Sequence, residues 1–295
     1  MFSGSLVALI TPFKKNLSVD ESALERLIEF HSKNGTHGIV SCGTTGESAT
    51  LSHDEHKRVV EATVRMCAGR FPVIAGTGSN STEEAIELTR FAENAGADAA
   101  LVVVPYYNKP SQNGLFMHFG KIASKTSIPI ILYNVPGRSA ANLLPETVAR
   151  LNDKYKNIVG IKEASTVEQA SKIMHLCGGS FTLLSGDDSV NFPLLSLGGK
   201  GSITVTANVA PKDVAKMHNL YAKGDVAGAR KLHYKLLPLN EAMFLESNPV
   251  PVKTALSLMK MDSGVFRPPL CAISPSNKKA LARVLAGYGL IQGRV

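Results

Sequence analysis

The chain's most informative residue for chemistry is a lysine in an unusual place. In "NIVGIKEAS" (157–165) Lys162 directly follows the apolar run "IVGI". Strand residues alternate faces, so Gly160 and Lys162 are expected on one face and Val159 and Ile161 on the other. If both faces are covered, the ammonium loses hydration. That disfavours its charge and lowers its pKa. A neutral amine attacks ketones and aldehydes and forms a Schiff base. Two other roles fit the same position: a lysine that snorkels to the mouth of the fold, or one paired with Glu163 or an Asp.

Other groups at the ends of apolar runs suit that chemistry. "GTTGE" (43–47) sets Thr44 and Thr45 between glycines. Such a turn can aim backbone N–H groups at an anion such as a carboxylate, and the hydroxyls add donors and a proton relay. It also reads as a tight strand-to-helix turn. It is not a P-loop, because the Lys-Ser/Thr tail is missing. Tyr133 is placed to move protons beside an imine, or to be a core aromatic with a satisfied hydroxyl. Arg138, in "NVPGR", can clamp a carboxylate in bidentate fashion or stay solvated. Tyr106, Tyr107, Gly186, Asp187, Asp188 and Ile203 lie at further run ends. His53 and His56 have a spacing that could suggest a metal, but no third ligand follows, so no metal is expected. Cys42, Cys67, Cys177 and Cys271 are scattered without a C-x-x-C pair. Free thiols in a reducing cytosol fit better than disulfides or zinc.

These residues need a scaffold, and the periodicity supplies one. Eight short apolar runs begin near residues 4, 38, 71, 99, 128, 157, 181 and 201. Continuous Val/Ile-rich runs of this length suit strands buried on both faces of a parallel sheet. Between them lie helical patterns, including "SALERLIEFHSKNG", "SHDEHKRVVEATVRM", "STEEAIELTRFAENAG" and "SVNFPLLSLGG". Ser52 with Glu55, and Ser81 with Glu84, have capping-box spacing. Eight alternations predict a (β/α)8 TIM barrel over 1–222, with a doubly wound open sheet as the alternative. No G-x-G-x-x-G follows the first strand, which disfavours that alternative. Residues 223–295 read as a helical C-terminal extension.

Composition narrows the class. An apolar fraction of 44% with 19% charged residues is that of a soluble globular protein. No apolar run is long enough to span a membrane, and the N-terminus lacks signal-peptide features, so a cytoplasmic protein is expected. The net charge of +8 is spread in pairs such as Lys14-Lys15, with no tryptophan and no interleaved aromatics. That argues against a nucleic-acid partner.

Six motifs in order carry a family resemblance: "GTTGESATLS" (43–52), "PYYNKPSQNGL" (105–115), "YNVPGRS" (133–139), "GIKEAS" (160–165), "SGDD" (185–188) and "FLESNPVPVK" (244–253). Together they resemble the dihydrodipicolinate synthases, pyruvate-dependent class I aldolases of the N-acetylneuraminate lyase superfamily. The resemblance implies a Schiff base between Lys162 and pyruvate, then attack on L-aspartate 4-semialdehyde. It implies a proton relay of Thr44, Tyr133 and Tyr107, with Tyr107 reaching in from a neighbouring subunit. Thr45 would hold the pyruvate carboxylate, Arg138 the semialdehyde's, and the backbone at Gly186 and Ile203 would border the pocket. A homotetramer without metal or organic cofactor is implied. Ser48, Ala49, His53, His56, Asn80, Glu84 and Tyr106 match a site at which L-lysine inhibits. The arginine separates this pattern from the sugar-acid lyases of the same superfamily. Ser139-Ala140 departs from the common Thr-Gly and touches the arginine loop.

Overall fold

The computed structural model describes residues 2–292. The chain runs β1 (Gly4–Ala8), α1 (Glu21–Lys33), β2 (Gly38–Ser41), α2 (His53–Cys67), β3 (Val73–Gly76), α3 (Thr82–Asn94), β4 (Ala99–Val103) and α4 (Gln112–Ala123). It continues through β5 (Ile130–Asn134), α5 (Pro136–Ser139), α6 (Pro145–Lys154), β6 (Ile158–Glu163), α7 (Val167–Cys177), β7 (Thr182–Ser185), α8 (Asn191–Ser196), β8 (Gly201–Thr204) and α9 (Pro211–Ala222). Three helices follow: α10 (Val226–Ala242), α11 (Val250–Leu258) and α12 (Pro275–Tyr288). Each strand pairs in parallel with the next, and β8 closes on β1 from Gly4–Gly201 to Val7–Thr204. The sheet is therefore a closed (β/α)8 barrel rather than an open doubly wound sheet.

The continuous apolar runs have two jobs. Leu6, Ala8, Val40, Ile74, Leu101, Ile131, Leu184 and Ile203 fill the barrel's interior. Their neighbours, among them Val7, Ile39, Leu132, Ile161 and Leu183, pack outward under the helices. Strands buried on both faces are mostly apolar, and their buried polar residues are mainly small Ser and Thr, so a lysine in β6 stands out.

One expectation about β6 is corrected. The β5–β6 pairing jumps from Ile130–Ile158 to Ile131–Gly160. Val159 is the extra residue of this irregularity and packs on the interior cluster, whereas Ile161 belongs to the outer one. Val159 and Ile161 thus face opposite layers. Gly160 fits because a Cβ there would collide with the Thr182 carbonyl. Beyond it the alternation resumes, with Lys162 paired to Tyr133 and Glu163 to Asn134.

Helix ends follow local chemistry. Ser52 and Glu55 form the full capping box of α2. At α3 only half of the box forms: Ser81 accepts from the Glu84 N–H, but the Glu84 side chain turns to His53 and Ser79. The helix expected from Ser189 is shortened, because Asp187 takes the Ser189 N–H and a tight 3-10 turn precedes α8. No helix among the described residues is long and apolar enough to cross a membrane.

Candidate active site

Lys162 points into the barrel and is 6% exposed, with Nζ 4.1 Å from the Tyr133 ring centroid. Of its two competing roles, pairing with a carboxylate fails. Glu163 takes its hydrogen bonds from Asn134, Ser165 and Gln169, and no ion pair to Lys162 forms among the described residues. Gly186 makes room for the lysine stem. A Cβ there would lie 3.0 Å from Lys162 Cε and 2.8 Å from Ala164 Cβ.

The lysine borders a cavity of about 300 Å³ at the C-terminal ends of the strands. Thr44, Thr45, Tyr133, Arg138 and Gly186 line it, as the sequence led us to expect. Ile203 does not. It lies inside the barrel core, and Val205 takes the position at the wall. Seven lining residues had been given no role: Val135, Ala164, Ser189, Val205, Glu241, Phe244 and Asn248. The last three come from the C-terminal extension, which therefore helps to build the site. Asn248 stood within "FLESNPVPVK", a motif noticed for its resemblance alone.

The GTTGE turn differs from expectation in its backbone. The N–H groups of Gly46, Glu47 and Ser48 are spent on the Gly43 and Thr44 carbonyls. The Gly43, Thr44 and Thr45 amides take no backbone partner among the described residues, and of these residues Thr44 and Thr45 line the cavity, so the anion cradle there offers two amides rather than a ring of them. Thr45 Oγ1 accepts from Asn248 Nδ2 at 3.0 Å. Glu47, at φ 52, is buried and bound to Lys253 Nζ at 2.6 Å, which fixes the end of the turn.

Arg138 sits at the end of α5, with Nη2 3.3 Å from the Asn248 carbonyl. Ala140 closes α5 in the left-handed region at φ 56. Glycine would adopt that conformation more readily, and the departure from the common pattern falls there. Ser139 Oγ lies 3.1 Å from the Val135 carbonyl and 2.8 Å from the Ala141 carbonyl, and its one O–H can donate to either and steady the loop. Tyr107 does not reach the cavity within the chain. It is 89% exposed and shares a broad depression with Tyr106, Lys109 and Arg138.

The second group of residues is brought together in part. His53 Nε2 contacts Glu84, and Asn80 Nδ2 donates to the Tyr106 carbonyl at 3.2 Å. Ser48 and Ala49 lie in the 3-10 turn just before α2. His56 is near enough to His53 and Glu84 to feel their charges, but it is buried, its Nε2 lies 2.8 Å from the Gly76 carbonyl, and burial lowers its pKa. No cluster of three or more metal-ligating side chains occurs among the described residues.

A barrel with an unpaired lysine in its mouth, beside a tyrosine and sharing one cavity with Thr45 and Arg138, fits a lyase of the class I aldolase type. Residues 1–287 match the dihydrodipicolinate synthetase family, and the chain belongs to that family. It is 60% identical to a 4-hydroxy-tetrahydrodipicolinate synthase of Thermodesulfovibrio yellowstonii, over 99% of this chain and all of that one. The dihydrodipicolinate synthase of Aquifex aeolicus superposes with a TM-score of 0.97 at 48% identity, over 99% of this chain and 100% of the other. Two more solved structures bear on ligands. The Acinetobacter baumannii enzyme, complexed with pyruvate, matches at TM-score 0.96 and 43% identity, over 99% and 100% of the two chains. The Cyanidioschyzon merolae enzyme, with lysine bound, matches at 0.95 and 40%, over 98% and 99%.

Proposed function

We propose that this chain is a 4-hydroxy-tetrahydrodipicolinate synthase, and that Lys162 carries the imine. Lys162 Nζ attacks the pyruvate ketone and water leaves. The imine loses a methyl proton and becomes an enamine. The enamine carbon forms the new bond to the aldehyde carbon of L-aspartate 4-semialdehyde. The substrate's amino group then attacks the imine carbon, closes the ring and frees the lysine. Tyr133 and Thr44 move the protons, joined by Tyr107 from a neighbouring chain. Thr45 and the two open amides hold the pyruvate carboxylate, and Arg138 holds that of the semialdehyde. No metal or organic cofactor enters these steps.

The observation that carries this reading is the unpaired Lys162 side chain, buried with Nζ 4.1 Å from the Tyr133 ring centroid in a cavity shared with Thr45 and Arg138. In this reading residues 1–222 are the catalytic barrel and 223–295 a helical domain that completes its mouth. The assembly is a homotetramer, in which the exposed Tyr107 would complete another chain's site. The compartment is the cytoplasm, in keeping with four unpaired cysteines. L-lysine binds the patch formed by Ser48, Ala49, His53, His56, Asn80, Glu84 and Tyr106. Millimolar L-lysine then lowers turnover, and Glu84→Ala relieves it; equal rates with and without saturating lysine would remove that part.

The central test is incubation with pyruvate and borohydride, followed by peptide mapping. A reduced pyruvyl adduct on the Lys162 peptide is expected. A folded protein without it would make the lysine structural.

A further inference from the structure

Glu163 is a buried carboxyl group that the imine chemistry leaves unused. It follows Lys162 on β6 and is 2% exposed. No cation pairs with it among the described residues. Burial raises its pKa, against the pull of its hydrogen bonds. Every group on its two oxygens is a neutral donor. Asn134 Nδ2 reaches both, at 3.1 and 3.2 Å. The Ser165 N–H reaches Oε1 at 2.7 Å, and Gln169 Nε2 reaches Oε2 at 3.1 Å. An ionised carboxylate only accepts, so it satisfies all of them. A glutamine would turn an NH2 group toward one of these donors.

The donors belong to three separate pieces of the fold. Asn134 follows Tyr133 on β5, and the register sets it opposite Glu163 just as Tyr133 is set opposite Lys162. Alternation sends the second pair outward when the first points inward. Gln169 lies in the first turn of α7. It exchanges hydrogen bonds with Asn142 at 2.9 and 3.1 Å and donates to the Leu143 carbonyl at 3.2 Å. Asn134 also donates to Asn142 Oδ1 at 2.8 Å and accepts from the Leu143 N–H at 2.9 Å. Asn142 and Leu143 lie just after α5, the turn that carries Arg138.

We propose that Glu163 is a positioning residue: with Asn134, Gln169 and Asn142, its carboxylate locks the outer faces of β5 and β6 to the loop after α5, and thereby sets Lys162, Tyr133 and Arg138 in one geometry. This rests on the reading that Lys162 forms the imine. It assigns a purpose to a buried carboxylate that would otherwise only carry a desolvation cost.

Glu163→Gln and Asn142→Ala are compared with wild type by thermal unfolding, rate of borohydride trapping with pyruvate, and KM for the semialdehyde. At a temperature where both are folded, E163Q should trap about tenfold or more slower, since displacement of a reacting group by ~1 Å can cost on the order of 10²-fold. Its KM for the semialdehyde should rise as well. N142A keeps the Asn134 and Ser165 bonds to Glu163, so it should raise that KM more than it slows trapping. A folded E163Q with wild-type trapping and KM overturns the proposal, as does a change confined to melting temperature. Should E163Q fail to fold, N142A decides, and an unchanged KM overturns it. Absence of an adduct in wild type overturns the catalytic reading and this one together. A wild-type adduct with an unaltered E163Q overturns this one alone.

Discussion

Among the described residues two lysines are buried, and they are opposites. Lys253, on α11, is 0% exposed; its Nζ lies 2.6 Å from Glu47 Oε1 and 3.1 Å from the Thr11 carbonyl. The ring centroids of Phe13 and Phe266 stand 4.3 and 5.5 Å away. Desolvation lowers its pKa, and Glu47 beside it pushes back. Lys162 also has an aromatic face, that of Tyr133, but no carboxylate and an open cavity in front. Burial alone does not make a nucleophile. What differs is the counter-charge: Lys253 is bound to Glu47, whereas Lys162 has no carboxylate and faces the cavity. The two sites are also joined, because Glu47 ends the turn whose threonines line the Lys162 cavity.

The same substitution at both positions should separate the roles. Lys162→Met should cost on the order of 10⁶ in kcat, the scale seen when a covalent nucleophile is removed. It should leave the unfolding midpoint unchanged or raised, because an unpaired buried amine gives way to an apolar chain. A large fall in stability would place Lys162 with Lys253 and dissolve the contrast.

Lys253→Met should do the reverse. Glu47 would be left buried and unpaired, at a cost of about 3–5 kcal/mol. Pyruvate trapping on Lys162 should persist wherever the variant is folded. Glu47→Gln added to Lys253→Met should recover much of the loss, since the stranded charge is gone. Chemical denaturation of the two variants measures this, and a Lys253→Met as stable as wild type would show that the pair contributes nothing.

The contrast also marks what a sequence displays. Lys162 was legible because its oddity is local: one lysine closes a strand that should be apolar. The barrel was legible for a similar reason, since strands buried on both faces leave short unbroken apolar runs. Lys253 was not, because its partner lies 206 residues away and its own segment reads as an ordinary amphipathic helix. Asn248 was missed likewise, its hydrogen bond to Thr45 spanning 203 residues. The irregularity at Val159 left only Gly160 as a sign, and the spent amides of the GTTGE turn depend on a backbone path that residue types do not specify. The role given to Tyr107 rests on a second chain, and within one chain the residue faces outward.

Two buried histidines extend the rule to groups that titrate near neutrality. His31, whose Nδ1 lies 2.9 Å from Thr36 Oγ1, and His218, whose Nε2 lies 2.8 Å from Ser202 Oγ, have no carboxylate partner. Burial takes each from 6.5 down to about 3. Between those values the unfolded chain binds protons that the folded chain refuses. Stability from these groups is therefore complete above pH 6.5 and falls as pH drops toward 3, by about 1.4 kcal/mol per pH unit for each histidine. Glu163 and Asp262, whose values burial raises, push the other way. Glu55, lowered to about 2 by Arg267, adds its loss only below about 4.5. The range from pH 6.5 to 5 lies above that of Glu55, and in it the histidine loss runs against what Glu163 and Asp262 return. Urea midpoints should fall across it, and the slope should flatten in His31→Asn and His218→Asn, each by its own share. An unaltered slope would mean that these rings carry their charge inside the fold, and that burial without a counter-charge is a weaker lever here than the two lysines imply.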